Sequence, residues 1–167
     1  VYVFDITQTE GEPIPAAPEW HDRERDLELE QGLYCLAHSR GIQVDVAQNL
    51  GGAQGVSSGG HIQLLDGAGT RVFVHELVHE LLSHSSQEVR AVISKQQREI
   101  EADAAAFVVG RHFNLAGAAI PNYLALWQAA GPDILDCMER VREISTQIIR
   151  FLEENTKRVN LADETII

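Results

Sequence analysis

The segment His75-Glu76-Leu77-Val78-His79 contains three side chains whose types and spacing suit metal chemistry. On an α-helix of about 3.6 residues per turn, His75 and His79 lie one turn apart on the same face. Two imidazoles placed in this way can hold one Zn²⁺ from a single rigid element. Glu76 lies beside them, where its carboxylate can accept a proton from a water molecule that the metal activates. The pattern therefore predicts a zinc site with a neighbouring general base.

The same five residues could instead belong to a helix that carries two surface histidines by chance, so their context matters. Thr70 is well placed to cap the N-terminus of such a helix. A core-facing stripe follows, made of Val72, Leu77, Val78, Leu81 and Leu82. A helix that is buried along one side holds its polar groups in fixed positions, which favours the metal site over the surface pair.

A catalytic zinc usually has three protein ligands and leaves a fourth position for water. The best candidate for the third ligand is Glu99, in a predicted helix with Ser94 as N-cap and Gln97 at the capping-box position. Asp103 lies one turn further along the same face, where it can accept a hydrogen bond from a ligand histidine. We therefore expect Glu99 on the metal and Asp103 behind it, with Glu101 pointing to solvent. The alternative is an ordinary acidic helix face.

With His75-Glu76-x-x-His79 followed by Glu99-x-x-Ala102-Asp103, the chain resembles the zincin metallopeptidases that use a glutamate as third ligand. More narrowly, it is similar to the metallopeptidase domain of ArdC-type antirestriction proteins, which is related to the ImmA/IrrE peptidases. The resemblance covers most of the chain, and the metal motif with its acidic partner is its most specific part. The segments that carry it are residues 3–13, 51–57, 60–64, 74–84, 99–115 and 121–127.

The resemblance implies that His75, His79 and Glu99 hold Zn²⁺ and that Glu76 is the catalytic base of peptide-bond hydrolysis. It also implies a zincin-like fold, in which a small mixed sheet packs against the metal-binding helix and a helical C-terminal half. In zincins the strand before that helix is usually the sheet edge, so residues 60–64 are expected to offer backbone groups to an extended peptide. ArdC proteins also have an N-terminal domain that binds single-stranded DNA, and this sequence has no segment resembling it.

Hydrolysis of this kind often uses a further donor that stabilises the oxyanion. The candidates are Tyr123, His112, His84 and His61. His84 follows His79 by five residues, so a helix would direct it elsewhere, and we expect it at the helix end or on the surface. Tyr123 lies at helical spacing from Trp127, and that pair also fits a hydrophobic core. We retain Tyr123 as the possible oxyanion donor.

The length, charge and hydrophobicity of the chain limit which kinds of molecule it is expected to bind. The chain has 167 residues, enough for a single domain over residues 1–167 with its own hydrophobic core. Its formal net charge is -12 and its pI about 4.9, so repulsion from phosphates argues against direct nucleic-acid binding.

No apolar run approaches the ~20 residues that span a bilayer, and no basic leader is visible, so we expect a cytoplasmic protein without membrane contact. The first residue is Val1 rather than Met, which suggests a fragment of a longer protein.

The chain has two cysteines, Cys35 and Cys137, far apart in the sequence. Both lie in apolar helical patterns, and neither has the spacing of a zinc–thiolate pair. We expect buried free thiols in a reducing compartment.

Periodicity and turn residues divide the chain into a small early sheet and a helical second half, which is an α+β layout. Strands are predicted at residues 1–6, 42–46, 53–58 and 61–65, and the last two are expected to form a hairpin at Gly59-Gly60. Helices are predicted at residues 19–39, 71–83, 94–113, 121–131 and 132–154. Residues 11–18 form a linker with three prolines, and residues 85–92 fit either a loop or a helix.

Two functions of other classes remain open. One is an interaction module in antirestriction or regulation, whose zinc is structural or vestigial. The other is a DNA mimic, since an acidic protein can occupy a DNA-binding enzyme. Glu76 favours a zinc peptidase with a peptide or protein substrate, because a structural zinc site needs no base and tends to close its fourth position, often with cysteine. The sequence predicts no oligomeric state.

Overall fold

A computed structural model describes the backbone of residues 24–115 and 131–164, and the side chains of residues 24–115 and 137–155. In chain order the elements are α1 (Leu27–Ser39), β1 (Gln43–Ala47), β2 (Gly55–Ser57), β3 (His61–Leu65), α2 (Thr70–Leu81), α3 (Gln87–Val92), α4 (Lys95–His112) and α5 (Gly131–Glu164). This combination of a small mixed sheet with helices confirms the predicted α+β class. The predicted strand at residues 1–6, the linker at 11–18 and nearly all of the predicted helix at 121–131 lie outside the described residues.

The sheet has the strand order β1-β3-β2. β2 runs antiparallel to β3, with Val56 opposite Gln63, so the predicted hairpin is confirmed. Its turn, Gly59-Gly60, has φ angles of 75° and 92°, in the left-handed region that glycine adopts without strain. The backbone N–H groups of both glycines donate to the carboxylate of Glu80 on α2, at 2.8 and 2.5 Å. Glu80 thereby fixes the hairpin to the helix that carries the two histidines.

The position of β3 differs from the expectation. Residues 60–64 are not a sheet edge, because β3 has β1 on one side and β2 on the other. β1 pairs with it in parallel, from Gln43 opposite His61 to Ala47 opposite Leu65. The alternating pattern of β1 predicts a strand but does not identify its partner, which is distant in the sequence. Among the described strands, β2 is the edge next to α2.

α1 begins at Leu27, later than the predicted helix that starts at residue 19. Asp26 caps it, because its Oδ1 accepts a hydrogen bond from the backbone N–H of Leu29 at 3.0 Å. The buried face consists of Leu29, Glu30, Leu33, Leu36 and Ala37. Leu27 and Tyr34 do not belong to this face, since Leu27 is 66% exposed and Tyr34 is 38% exposed. Helical spacing places Leu27 on the side opposite to the buried face.

Thr70 joins α1 to α2 and does not cap α2 as predicted. The N-cap is Gly69, which has no side chain for this purpose, and Thr70 is the first residue of the helix. The Thr70 hydroxyl accepts a hydrogen bond from the backbone N–H of Asp26 and donates one to the carboxylate of Glu30, both at 2.8 Å. Glu30 also pairs with the guanidinium group of Arg25. These bonds hold the N-terminus of α1 against the N-terminus of α2.

The core lies where α2 packs against α4 and the sheet. α2 contributes Phe73, Val74, Leu77 and Val78, and α4 contributes Ile100, Ala102, Ala105, Ala106 and Val109. Of the stripe predicted for α2, Leu77 and Val78 are fully buried, whereas Val72, Leu81 and Leu82 are partly buried. The alanines of α4 allow the two helices to approach closely, so polar groups along both helices come within bonding distance.

The segment that connects α2 to α4 contains the short helix α3, which settles the choice left open for residues 85–92. Ser86 caps α3, and Ser94 caps α4 by accepting a hydrogen bond from the backbone N–H of Gln97 at 3.1 Å. The predicted cap of α4 is therefore confirmed.

α5 packs against α4 and α1 and continues to Glu164 rather than ending near residue 154. Its buried side chains include Cys137, Val141, Ile144, Ile148 and Leu152. Cys137 is buried as expected, but Cys35 is exposed, because helical spacing places it on the side of α1 opposite to the buried face. Among the described helices, none combines the length and the apolar character needed to cross a membrane.

Candidate metal centre

α2 places His75 and His79 one turn apart, and α4 brings Glu99 against them. The Nε2 atoms of His75 and His79 are 3.0 Å apart. The Oε2 atom of Glu99 lies 3.6 Å from Nε2 of His75 and 3.5 Å from Nε2 of His79. The structure thus brings together the three residues predicted as metal ligands. In the described part of the chain, no other cluster of His, Cys, Asp and Glu has this capacity.

The triangle of these three atoms is close to the size that a tetrahedral metal requires, with the two histidine nitrogens somewhat nearer to each other. Zinc bonds of about 2.0–2.2 Å to nitrogen and oxygen would separate neighbouring ligand atoms by about 3.3–3.6 Å at tetrahedral angles. The observed separations are 3.0, 3.6 and 3.5 Å, and a point about 2.0 Å from all three atoms exists within the triangle. Two imidazole nitrogens and one carboxylate oxygen are also a donor set of catalytic zinc sites. The residues present therefore fit one divalent ion.

Asp103 contacts the ring nitrogen of His75 that does not face the other two ligands. Its Oδ1 lies 2.9 Å from Nδ1 of His75, on the side of the ring that faces away from Glu99. An ionised carboxylate only accepts hydrogen bonds, so Nδ1 of His75 carries the proton. In a neutral imidazole, Nε2 then presents its lone pair to the centre of the site. Asp103 is therefore located where the sequence predicted an outer partner.

His79 is held by a buried relay that the sequence did not predict. Its Nδ1 lies 2.8 Å from Nδ1 of His84, and Nε2 of His84 lies 3.1 Å from Oε2 of Glu101. The guanidinium group of Arg140, on α5, pairs with the other oxygen of Glu101. His84 is 3% exposed and Glu101 is 0% exposed. His84 lies just after the end of α2, which is one of the two places expected for it, but it is buried and not on the surface. The expectation that Glu101 meets solvent is wrong.

The ionisation states of Glu101 and His84 determine which ring nitrogens of His84 and His79 carry a proton. Burial raises the pKa of Glu101, but the hydrogen bonds from His84 and Arg140 outweigh this and lower it overall, so the carboxylate is ionised. Burial lowers the pKa of His84, although Glu101 opposes the change, so the ring is neutral. Nε2 of His84 therefore donates to Glu101, Nδ1 of His84 accepts from His79, and Nε2 of His79 presents a lone pair to the site.

The centre of the site favours a positive charge. With the protons placed in this way, two lone pairs face each other at 3.0 Å beside the carboxylate of Glu99. Burial lowers the pKa of His75, but hydrogen bonds to Asp103 and Glu99 outweigh it and raise the pKa to about 10. Burial raises the pKa of Glu99, but the interactions of its carboxylate with His75 and His79 outweigh this and bring the pKa well below its ordinary value. A proton or a metal cation between these groups relieves the repulsion of the lone pairs.

Glu76 lines the cleft beside the three ligands and is 8% exposed. Burial raises the pKa of its carboxyl, although the charges of His75 and His79 and a hydrogen bond with Ser57 partly offset this. A carboxylate with a raised pKa is a stronger base. Gly55 of β2 leaves room for it, since a Cβ there would lie 2.6 Å from Cγ and 2.9 Å from Oε1 of Glu76.

The cleft has a volume of about 590 Å³ and opens between β2, α2 and the segment from Ser85 to Glu99. β2 forms one wall with Gly55, Val56 and Ser57. Arg90, Lys95 and Arg98 also line the cleft. The candidate oxyanion donor Tyr123 lies outside the described residues. His61 and His112 are not in the lining, and each pairs with an acid on the surface instead, namely Asp45 and Glu153.

The comparisons with known proteins add no relative. A scan against protein-family models, a search of curated proteins and a search of solved structures found no match to this chain.

Proposed function

We propose that this chain is a zinc-dependent metallopeptidase domain of the zincin type, in which His75, His79 and Glu99 hold the metal. The observation that carries the proposal is the convergence of their three ligand atoms, with separations of 3.0–3.6 Å, in a cleft that also contains Glu76. The resemblance of the metal motif and its acidic partner to ArdC-type and ImmA/IrrE peptidases supports the same conclusion. The expected substrate is a peptide or protein.

The donor set favours a catalytic site over a structural one. A structural zinc site usually has four protein ligands, often cysteines, whereas a catalytic site has three and remains open to water. Neither Cys35 nor Cys137 lines the cleft. When bound, zinc would lower the pKa of water and polarise the carbonyl group of the scissile bond.

Glu76 is the proposed general base. Its carboxylate accepts a proton from the attacking water and then delivers that proton to the nitrogen of the leaving amine. The raised pKa of Glu76 suits both steps, because a group that binds the proton more tightly accepts it more readily and still releases it to an amine. Burial of Glu76 also excludes bulk water that would compete for this proton.

The remaining polar residues orient the ligands. Asp103 fixes the ring of His75, and His84 with Glu101 fixes the ring of His79, so both Nε2 atoms face Glu99. β2 provides a strand edge along the cleft, where an extended peptide can add by backbone hydrogen bonds. This role was expected of residues 60–64 and passes to residues 55–57, since β3 is the central strand.

The function is tested by metal analysis and cleavage of a peptide library, with the parent and two variants side by side. The parent should bind about one equivalent of zinc and hydrolyse peptides. Glu76→Gln should keep the zinc and lose hydrolysis by about 100- to 10,000-fold, and His79→Ala should lose the zinc as well. Glu88→Gln, an exposed change on α3, is the matched control and should behave as the parent. Unchanged metal content in His79→Ala, or undiminished cleavage by Glu76→Gln, would contradict the proposal.

A further inference from the structure

Three cations line one part of the metal cleft. They are Arg90, Lys95 and Arg98, and the same cleft contains the metal-ligand triad. Arg90 and Lys95 are exposed, and Arg98 is partly buried. The ion pairs of other arginines in the described residues include Arg25 with Glu30 and Arg140 with Glu101, but none of the three cleft cations pairs with a described carboxylate. Unpaired positive charge is thus concentrated beside the site of a chain whose net charge is -12.

Arg90 and Arg98 converge on one backbone oxygen. Nη1 of Arg98 donates to the carbonyl oxygen of His84 at 2.6 Å, and Nε of Arg90 donates to the same oxygen at 3.4 Å. The two nitrogen atoms are therefore within about 6 Å of each other, a distance at which like charges repel. Nε of Arg98 is buried and has no hydrogen-bond partner among the described residues. A buried donor without a partner, beside a second guanidinium group, is an arrangement that a bound anion would stabilise.

We propose that Arg90 and Arg98, with Lys95 at the rim, form a subsite for a carboxylate of the peptide substrate. The inference rests on the proposed peptidase function, because the subsite and the triad share one cleft. A guanidinium group is planar and matches a carboxylate with paired hydrogen bonds, and a lysine adds charge at longer range.

The negative net charge of the chain favours a ligand with a single carboxylate over a longer polyanion. A net charge of -12 opposes the approach of many phosphates, but one carboxylate can be held at short range by two guanidinium groups. The cations also offset Glu76 and Glu99, which would otherwise repel an acidic peptide from the cleft. The carboxylate is either an Asp or Glu side chain near the scissile bond or the free C-terminal group of the peptide.

The experiment compares the binding of peptides that differ by one charge. A fluorescent, otherwise neutral hexapeptide carries Glu or Gln at each position in turn, and each version has a free or an amidated C-terminus. Binding is measured by fluorescence anisotropy on the zinc-loaded Glu76→Gln protein, which leaves the peptide intact. We expect at least one carboxylate peptide to bind about tenfold more tightly than its neutral counterpart. The Glu and Gln pairs detect a side-chain subsite, and the acid and amide pairs detect a C-terminal subsite.

Substitutions on the cleft wall then assign the preference to residues. Arg98→Gln should reduce the tenfold preference to less than about twofold, because one charge-assisted pair is lost. Arg90→Gln should also reduce the preference. Because Arg90 is exposed, this substitution should leave the fold intact. Arg111→Gln is the control on the same helix as Arg98, since Arg111 is exposed and does not line the cleft. An unchanged preference in both Arg98→Gln and Arg90→Gln would overturn the subsite.

The two proposals fail in different ways. A folded chain that binds and uses zinc but shows no carboxylate preference at any position would overturn the subsite and leave the peptidase standing. A chain that binds no zinc but prefers carboxylate peptides would support the subsite and contradict the peptidase. Absence of binding to any carboxylate peptide at millimolar concentration would also overturn the subsite.

Discussion

Replacement of His84 by phenylalanine should weaken zinc binding although His84 is not a metal ligand. Nδ1 of His84 accepts the hydrogen bond of His79 at 2.8 Å, and the ring is 3% exposed, so solvent cannot readily replace it. Phenylalanine fills the space but leaves the buried N–H of His79 without an acceptor, which costs about 1–3 kcal/mol. If the neutral, metal-binding tautomer of His79 bears this cost, the Kd for zinc rises about 5- to 150-fold.

His84→Asn is the conservative counterpart. The side-chain oxygen of asparagine can occupy the place of Nδ1 and accept the same hydrogen bond, so its Kd should stay within about threefold of the parent value. His112→Phe is the control, because His112 pairs with Glu153 at the surface, away from the cleft. Zinc affinity is measured by competition with a chromophoric chelator, and circular dichroism shows whether each variant is folded.

Two results would refute this reasoning. A folded His84→Phe protein with the zinc affinity of the parent would show that His84 does not position His79. Equal weakening in His84→Phe and His84→Asn would assign the effect to the lost contact with Glu101.

Three further predictions concern the base, the pH dependence and the fold. Gly55→Ala should keep zinc but slow hydrolysis by about 10- to 100-fold, because the new Cβ would lie 2.6 Å from Cγ of Glu76 and displace it. The zinc affinity should rise about tenfold per pH unit from pH 6.5 to 8.5, because the pKa of His75 in the metal-free protein is about 10 and its proton must leave. Arg140→Ala should lower the free energy of unfolding by about 2–3 kcal/mol in urea titrations, because it leaves a buried carboxylate without its cation.

The two substitutions each have a matched control. Gly110→Ala adds a Cβ that meets only ordinary contacts, at 3.7 Å and beyond, and should leave hydrolysis unchanged. For the pH series, an affinity that stays flat between pH 6.5 and 8.5 would contradict proton displacement, and calorimetry in buffers of different ionisation enthalpy measures the proton directly. Arg142→Ala changes an exposed arginine on the same helix as Arg140 and should cost less than about 0.5 kcal/mol. Equal effects of Arg140→Ala and Arg142→Ala would contradict the buried pair.

The part of the site built by helical spacing was predictable from the sequence. His75 with His79, and Glu99 with Asp103, are pairs one turn apart, and the i, i+4 rule places each pair on one face. That the two faces meet required the family resemblance, since periodicity does not report the packing of one helix on another.

The relay behind His79 was not predictable from local rules. α2 ends at Leu81, and Ser83 adopts a φ of 54°, in the left-handed region, so the helix does not continue to His84. His84 then donates its backbone N–H to the carbonyl oxygen of His79, at 2.9 Å, and its ring packs against the ring of His79. A helical continuation would have pointed His84 away.

Glu101 was assigned to solvent because helical geometry separates it from Glu99 and Asp103. Its face of α4 is covered by α5, whose Arg140 supplies the countercharge from 39 positions away in the sequence. A charged residue with no exposed surface is rare unless it is paired, and the sequence does not show the pair. The central position of β3 has the same cause, because its parallel partner β1 is not its neighbour in the chain.

The most direct test of the account is the position of zinc in a crystal, located by anomalous diffraction at the zinc absorption edge. The account predicts one peak about 2.0–2.2 Å from Nε2 of His75, Nε2 of His79 and a carboxylate oxygen of Glu99. A zinc-loaded crystal without a peak at this place, or with a peak whose ligands do not include Glu99, would contradict it.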